Sequence, residues 1–150
     1  MQKSMGHPTL YRTIKIGGLS IFYREAGPKD APTLLLLHGL PSSSRMFEPL
    51  FARLSDQYHL VAPDYPGFGH SDWPDPKKFA YTFDNLAEVM THFTEALGLS
   101  RYTPYVEVRF APGVPRWTGI LGAFVSTSRR PLGLDTKVQW KPAAADAILA

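Results

Sequence analysis

The sequence contains no cysteine among its 150 residues. This absence excludes a disulfide framework and a zinc site with thiolate ligands, and it fits a reducing compartment. No apolar run approaches the roughly 20 residues that a membrane-spanning helix needs. The opening segment MQKSMGHPTL lacks the apolar stretch of a secretory signal. We therefore expect a cytoplasmic protein with no membrane partner.

Positive charge is scarce in the first two thirds of the chain. Residues 1–100 have a charge balance of −1, whereas residues 101–150 have a balance of +4, which together give the net charge of +3. The basic residues of the last third are scattered. A nucleic-acid-binding protein concentrates such residues on one face of a recognisable fold. We therefore expect no nucleic-acid partner.

Phosphate-binding glycine loops and metal-ligand clusters are also missing. No glycine-rich loop of the dinucleotide or P-loop type occurs in the sequence. His92 lies near Glu88 and Glu95 on a helical segment, but no second histidine or cysteine has a suitable spacing. We expect neither a cofactor nor a bound metal.

Strand patterns dominate the first 63 residues. Leu10–Ile16 and Leu19–Glu25 are rich in strand-forming side chains, and the two glycines between them predict a tight hairpin. Thr33–Leu37 is a short, unbroken apolar run, which is typical of a strand covered on both faces. Tyr58–Pro63 repeats that pattern after a helical segment, so these two strands should be parallel in an α/β fold.

Two helices are predicted. The first follows a serine cluster at residues 42–44, whose hydroxyls can cap it. Its single apolar stripe consists of Phe47, Leu50, Phe51 and Leu54. The second has Thr82 as its N-cap and Gly98 as its stop. Its apolar face consists of Leu86, Val89, Met90, Phe93 and Leu97.

Two motifs give this pattern a family resemblance: LLLLHGLP and PDYPGFGHSDWP. Together they resemble the α/β-hydrolase fold family over about residues 8–103, and the His-Gly-x-Pro form resembles its epoxide hydrolase and haloalkane dehalogenase branch. The resemblance implies an incomplete α/β-hydrolase sheet, with an N-terminal hairpin followed by parallel βαβ units. It also implies a hydrolase that acts on a small-molecule substrate without a cofactor.

The resemblance further implies roles for residues at two strand ends. The backbone amide of Leu40 corresponds to one donor of the oxyanion hole. His38, Gly39 and Pro41 belong to the same turn, and Asp64 matches an acidic residue that ends the next strand near the site. Judged from the residues themselves, His38 is expected to pack and hydrogen-bond within the turn rather than to act as a base, and Asp64 to accept hydrogen bonds from loop amides.

The other half of the catalytic machinery has no counterpart in the sequence. A nucleophile elbow needs a small-x-nucleophile-x-Gly pattern, and none follows Tyr102. The position expected for the nucleophile falls near Val108, whose side chain has no nucleophilic atom. All five histidines precede residue 100, so the family's late catalytic histidine is missing too.

The hydrolase pattern ends at Pro104. We therefore divide the chain into residues 1–103, the N-terminal part of a hydrolase domain, and residues 104–150, an irregular tail. The change in charge and the loss of histidine favour an out-of-frame continuation of a longer gene; the rival hypothesis is a genuine tail of a short relative. A sheet that stops here predicts a marginally stable chain that self-associates through its exposed edge.

Two function classes remain open. The first is a truncated hydrolase whose parent activity cleaves an ester, an epoxide or a carbon–halogen bond through a covalent nucleophile. Leu40 stands where many dehalogenases have asparagine, which disfavours the carbon–halogen bond. The second is a non-catalytic module that presents a sheet edge to a partner. Under both hypotheses, the chain is not expected to be catalytically competent alone.

Overall fold

A five-stranded mixed sheet forms the centre of the molecule. The computed structural model describes residues 6–107. The strands are β1 (Leu10–Ile16), β2 (Leu19–Ala26), β3 (Thr33–Leu37), β4 (His59–Pro63) and β5 (Thr103–Val106), in the spatial order β1-β2-β4-β3-β5. The helices are α1 (Glu48–Leu54), which follows a 3₁₀ turn at Ser44–Phe47, and α2 (Phe83–Ala96). The predicted α/β class and the incomplete hydrolase-type sheet are confirmed. Of the predicted tail, residues 104–150, the structure describes only the first four residues, and residues 108–150 lie outside the described range.

The hairpin at the edge of the sheet forms as predicted. β1 and β2 pair antiparallel from Leu10 opposite Glu25 to Ile16 opposite Leu19. Gly17 and Gly18 both have positive φ, 54° and 86°. A two-residue turn with two positive φ values matches the twist of the strands it joins, and glycine adopts those angles without a steric penalty.

Parallel pairing of β3 with β4 confirms the predicted βαβ unit. Side chains alternate across the two strands, because successive residues of a strand point to opposite faces. Leu35, Leu37 and Val61 pack in the cluster on the α2 face. Leu36 and Leu60 pack in the cluster that contains Phe47 and Phe51 on the α1 face. The apolar residues that follow Thr33 in β3 and His59 in β4 therefore reflect burial on both faces.

Helix α2 begins and ends where its local signals predict. The Thr82 side chain accepts a hydrogen bond from the Asn85 amide at 3.2 Å. At the other end, Leu99 N–H donates to the Thr94 carbonyl and Gly98 N–H to the Glu95 carbonyl, each at 2.9 Å. This pair of bonds is the Schellman arrangement that a glycine stop favours.

The predicted serine cap of α1 is wrong. Ser43 occupies the N-cap of the 3₁₀ turn, yet its side chain makes no capping bond. Ser44 is fully buried and directs its hydroxyl towards Arg24 on β2. A buried cation 20 positions earlier in the sequence competes for this hydroxyl more effectively than the exposed helix start does.

Pro104 lies inside a strand. β5 pairs parallel with β3, with Pro104 opposite Leu35, so the strand continues beyond the residue at which the sequence pattern ends. Glu107 N–H donates to the Leu37 carbonyl at 2.9 Å. Because amides facing one neighbour alternate along a strand, the Pro104 nitrogen faces away from β3. Proline is tolerated there because β5 is the last strand in the described sheet order.

Candidate functional site

The candidate site lies where the carboxyl ends of β3 and β4 meet. The turn at residues 38–41 follows β3, and a loop at residues 64–72 follows β4. Beside them is an open cavity of about 530 Å³, a volume within the range of small-molecule sites. Its lining residues are Leu40, Phe68, Tyr81, Thr82, Phe83, Asp84 and Leu86. The cavity is mainly aromatic and aliphatic, with one carboxylate in its wall.

His38 is fully buried and has both ring nitrogens engaged. Nδ1 lies 2.8 Å from the Gly39 carbonyl oxygen, and Nε2 lies 3.1 Å from the Tyr65 amide nitrogen. A carbonyl only accepts and an amide only donates, so the proton resides on Nδ1 and Nε2 is an acceptor. With neither nitrogen directed at the cavity, His38 fixes the turn and is not placed to act as a base.

Burial also keeps His38 neutral. Desolvation lowers the pKa of its imidazole below the ordinary value of 6.5, against opposing contributions from the Gly39 carbonyl and the Asp64 carboxylate. The unfolded chain therefore binds a proton at His38 more readily than the folded chain does. We expect His38 to contribute stability above about pH 6.5, and this contribution to decline as pH falls below that value, with a slope of at most about 1.4 kcal/mol per pH unit.

Urea unfolding of the 150-residue chain between about pH 5 and pH 8 measures this effect. The matched variant is His38→Gln, whose side-chain carbonyl can accept from Tyr65 N–H but does not titrate. The difference in unfolding free energy between wild type and variant should shrink as pH falls. A difference independent of pH would show that His38 titrates alike in the folded and unfolded chains.

The backbone amide of Leu40 is free of protein acceptors within residues 6–107. Leu40 is partly buried and lines the cavity, and the peptide bond to Pro41 is cis. Gly39 contributes its carbonyl to His38, as described above. The structure thus places His38, Gly39, Leu40 and Pro41 in one turn, and of these four residues Leu40 lines the cavity.

Asp64 is the most completely enclosed charge of the site. Its side chain is fully buried, with Oδ1 accepting from Ser44 N–H at 2.6 Å and Oδ2 from His70 N–H at 2.9 Å. Its backbone carbonyl accepts from the Ser71 hydroxyl at 2.7 Å. These bonds match the expectation that Asp64 satisfies loop amides, and they join the turn after β3 to the loop after β4.

Sequence reasoning missed Arg24 and Ser44. Arg24 is 4% exposed, and its Nη1 donates to the Ser44 hydroxyl at 2.7 Å. Ser44 thereby connects a cation on β2 with the Asp64 carboxylate. One sequence signal could have revealed this network: Arg24 and Glu25 are adjacent charges in a strand that pairs on both sides, where at least one of them must point into the protein.

Glu25 belongs to a separate network at the other end of β4. Its carboxylate lies 3.0 Å from Arg12 Nε and 2.9 Å from His59 Nε2. His59 Nδ1 contacts the Thr33 hydroxyl at 3.1 Å. These residues lie at the opposite end of β4 from the candidate site, and the buried Glu25 carboxylate among them is paired, as a buried charge requires.

Tyr65 carries a buried hydroxyl with no hydrogen-bond partner among the described residues. Its ring packs edge-on against His38 at 4.6 Å between centroids, and burial raises the pKa of its phenol above the ordinary value of 10. An unpaired buried hydroxyl costs about 1–3 kcal/mol. We expect Tyr65→Phe to raise the free energy of unfolding by about 1 kcal/mol, the lower end of that range.

The matched control is Tyr81→Phe, because the Tyr81 hydroxyl donates to the Pro74 carbonyl at 2.8 Å. This variant should be slightly less stable than wild type. Urea midpoints of the two variants give the comparison. If Tyr65→Phe is also destabilised, the Tyr65 hydroxyl has a partner such as a buried water.

Within residues 6–107, the acidic and histidine side chains form no group able to hold a metal ion. In the same range, neither helix combines the length and the apolar composition required to cross a membrane.

Comparison with known proteins agrees with the fold. A family model described as the alpha/beta hydrolase fold matches residues 32–106, half of the chain. The chain is 43% identical over 89 residues to an uncharacterized hydrolase of Saccharomyces cerevisiae, covering 59% of this chain and 30% of that protein. It is 38% identical over 89 residues to a haloalkane dehalogenase of Bradyrhizobium diazoefficiens, covering 59% and 28%.

A solved structure also matches only part of its own length to this chain. The crystal structure of haloalkane dehalogenase DbeA from Bradyrhizobium elkani superposes with a TM-score of 0.60 and 29% identity, covering 68% of this chain and 33% of that one. The chain thus spans about a third of the length of the relatives it matches. The matched region contains the parallel strands and both strand-end loops of the candidate site, and on these grounds the chain belongs to the α/β-hydrolase fold family.

Proposed function

We propose that this chain holds the oxyanion half of a hydrolase site, with the backbone amide of Leu40 as one donor. The parent reaction cleaves an ester, an epoxide or a carbon–halogen bond through a covalent nucleophile. Two observations on one residue carry the proposal: the Leu40 amide has no protein acceptor within residues 6–107, and Leu40 lines a mainly apolar cavity. A donor fixed in this way stabilises the negative charge that develops on oxygen when an ester of the substrate or of the enzyme is attacked.

Rigidity of the turn supports this role. An oxyanion donor is effective because it is already oriented before the charge forms. The Leu40 amide follows His38, whose ring is held by two hydrogen bonds, and precedes Ser44, whose amide is bound to Asp64. Both ends of the turn are therefore anchored to buried side chains. The apolar lining of the cavity favours a substrate with an uncharged, hydrophobic body.

The chain alone is proposed to be a truncated, inactive member of the family. The sequence has no nucleophile elbow after Tyr102 and no histidine after His92. An oxyanion donor without a nucleophile and a base leaves the covalent step without its reacting groups. We expect no turnover of a nitrophenyl ester, an epoxide or a bromoalkane above the rate in buffer. Saturable turnover that Leu40→Pro abolishes, by deleting the amide, would show instead that the chain is competent.

Anion binding at Leu40 tests the oxyanion role without turnover. Butyrate carries an oxyanion on a short apolar body, and butyramide is a neutral ligand of the same size. In the ¹⁵N-labelled 150-residue chain, we expect butyrate to shift the Leu40 amide resonance saturably and butyramide to have little effect. An unchanged Leu40 resonance at saturating butyrate would refute the oxyanion role.

The alternative is a binding module that presents a sheet edge to a partner or to a second copy. β1 and β5 are the outer strands of the described sheet. On β5, the Pro104 nitrogen faces outwards and offers no N–H to an added strand, and Arg12 and Lys15 place positive charge on β1. Both are features that hinder edge-to-edge pairing. Sedimentation over a range of concentrations separates the hypotheses, since the module hypothesis predicts self-association or partner capture and no response of Leu40 to butyrate.

A further inference from the structure

The segment formed by the turn at residues 38–41 and the two serines after it, Ser42 and Ser43, is held from both ends. At its entry, His38 is fixed by the Gly39 carbonyl and the Tyr65 amide. At its exit, Ser44 is fully buried. Its amide donates to Asp64 at 2.6 Å, and its hydroxyl accepts from Arg24 at 2.7 Å. Ser44 therefore has one anchor on its backbone and a second on its side chain.

Arg24 is itself held in one place. Its guanidinium carbon lies 5.3 Å from the ring centroids of both Tyr11 and Phe22. Those two rings stack on each other at 6.3 Å with an interplanar angle of 21°. Nη1 is directed at Ser44, and Nη2 makes a longer contact of 3.5 Å with Glu48, whose side chain is half exposed. The short bond to Ser44 is thus the strongest directional contact of this cation.

The buried guanidinium of Arg24 is incompletely paired within the described residues. Its Nε has no hydrogen-bond partner among the described residues, although it is buried. A buried, incompletely paired cation is commonly less stabilising than an apolar residue of similar volume. Unlike an apolar residue, Arg24 can make a directional hydrogen bond to Ser44, the residue that follows this segment.

We propose that Arg24 is a positioning residue for the oxyanion turn: through the Ser44 hydroxyl it fixes the end of the turn and so aims the Leu40 amide. The proposal rests on the function proposed above. Arg24 acts through Ser44 and contacts no substrate. Small displacements of a positioned group can reduce its catalytic contribution by orders of magnitude. The loss of the Arg24–Ser44 bond should therefore lower the affinity of the Leu40 amide for an anion.

The test is butyrate titration of the ¹⁵N-labelled 150-residue chain, read at the Leu40 amide. Arg24→Met removes the fork and keeps an unbranched apolar stem. Ser44→Ala removes the hydroxyl and keeps the amide that binds Asp64. Each should weaken butyrate binding at Leu40 by roughly tenfold or more. The double variant should bind butyrate no more weakly than whichever single variant binds it less tightly, because the two substitutions remove the same bond.

Two further variants separate positioning from general stability. Glu48→Gln alters the other partner of the same guanidinium and should leave butyrate binding at Leu40 unchanged. Arg24→Lys keeps the charge and loses the fork, so it should restore binding only partly. A merely structural role would lower the urea midpoint while leaving the affinity of the folded fraction as in wild type.

The outcomes distinguish the two proposals. If Leu40 does not respond to butyrate in wild type, the oxyanion role fails, and this inference fails with it. If wild type responds and the folded Arg24→Met and Ser44→Ala variants respond with the same affinity, only the positioning role fails. If Arg24→Met does not fold, the Ser44→Ala and Arg24→Lys variants provide the test. Wild-type affinity for butyrate in both variants would overturn the proposal.

Discussion

Replacement of Asp64 by alanine should destabilise the chain by about 3–5 kcal/mol. The substitution leaves the Ser44 amide without its acceptor in a buried site, and the His70 amide without its acceptor in a partly buried one. A hydrogen bond to a buried charged group contributes about 1.5–3 kcal/mol, and an orphaned buried donor adds its desolvation cost. Because small domains have only about 5–15 kcal/mol of net stability, this loss removes a large share of it, and a chain at the lower end of that range should be partly unfolded.

The matched control is Asp72→Ala. The Asp72 carboxylate also accepts from a backbone amide, that of Ser20, at 2.7 Å, but it is exposed. Water can replace that acceptor, so the loss of stability should be far smaller than at Asp64. Urea unfolding measures both variants. Similar losses at the two sites would mean that the Asp64 carboxylate is hydrated in the native chain and that burial does not set its contribution.

Secondary structure was predictable from the sequence where its signals are local. The glycine pair at 17–18, the Thr82 cap and the Gly98 stop each act within a few residues, and the structure places a turn or a helix end at each. The unbroken apolar run at Thr33–Leu37 predicted burial on both faces. That inference holds because the helices that connect parallel strands cover both faces of the sheet, α1 on one face and α2 on the other.

The buried polar network was not predictable in the same way. Ser44 joins partners 20 positions away in either direction, Arg24 and Asp64. A local rule therefore assigned the serine cluster to helix capping, which the fold overrode. Pro104 shows the same limitation. Its effect on a strand depends on which neighbour its nitrogen faces, and this is a property of sheet register that single-residue propensity does not contain.

Replacement of Gly69 by alanine should be the second most damaging change at the site. Gly69 has φ 55°, and a Cβ at this position would overlap the Oδ2 atom of Asp64. That carboxylate cannot move aside without releasing the Ser44 and His70 amides. The left-handed backbone costs alanine about 1–2 kcal/mol, and overpacking against a fixed neighbour adds about 1–3 kcal/mol. We expect a total loss of about 3 kcal/mol or more.

Gly17→Ala isolates the backbone contribution to this loss. Gly17 has φ 54°, within one degree of the Gly69 value, and a Cβ there would meet no atom within 4 Å. Its cost should be the left-handed penalty alone, about 1–2 kcal/mol. The difference between the two urea-derived free energies then measures the overlap with Asp64. Amide hydrogen exchange gives the structural counterpart: Gly69→Ala should accelerate exchange at Ser44 and His70, whereas Gly17→Ala should not. Equal losses in the two variants would mean that the Asp64 carboxylate yields freely, and that the turn after β3 and the loop after β4 are not held together through it.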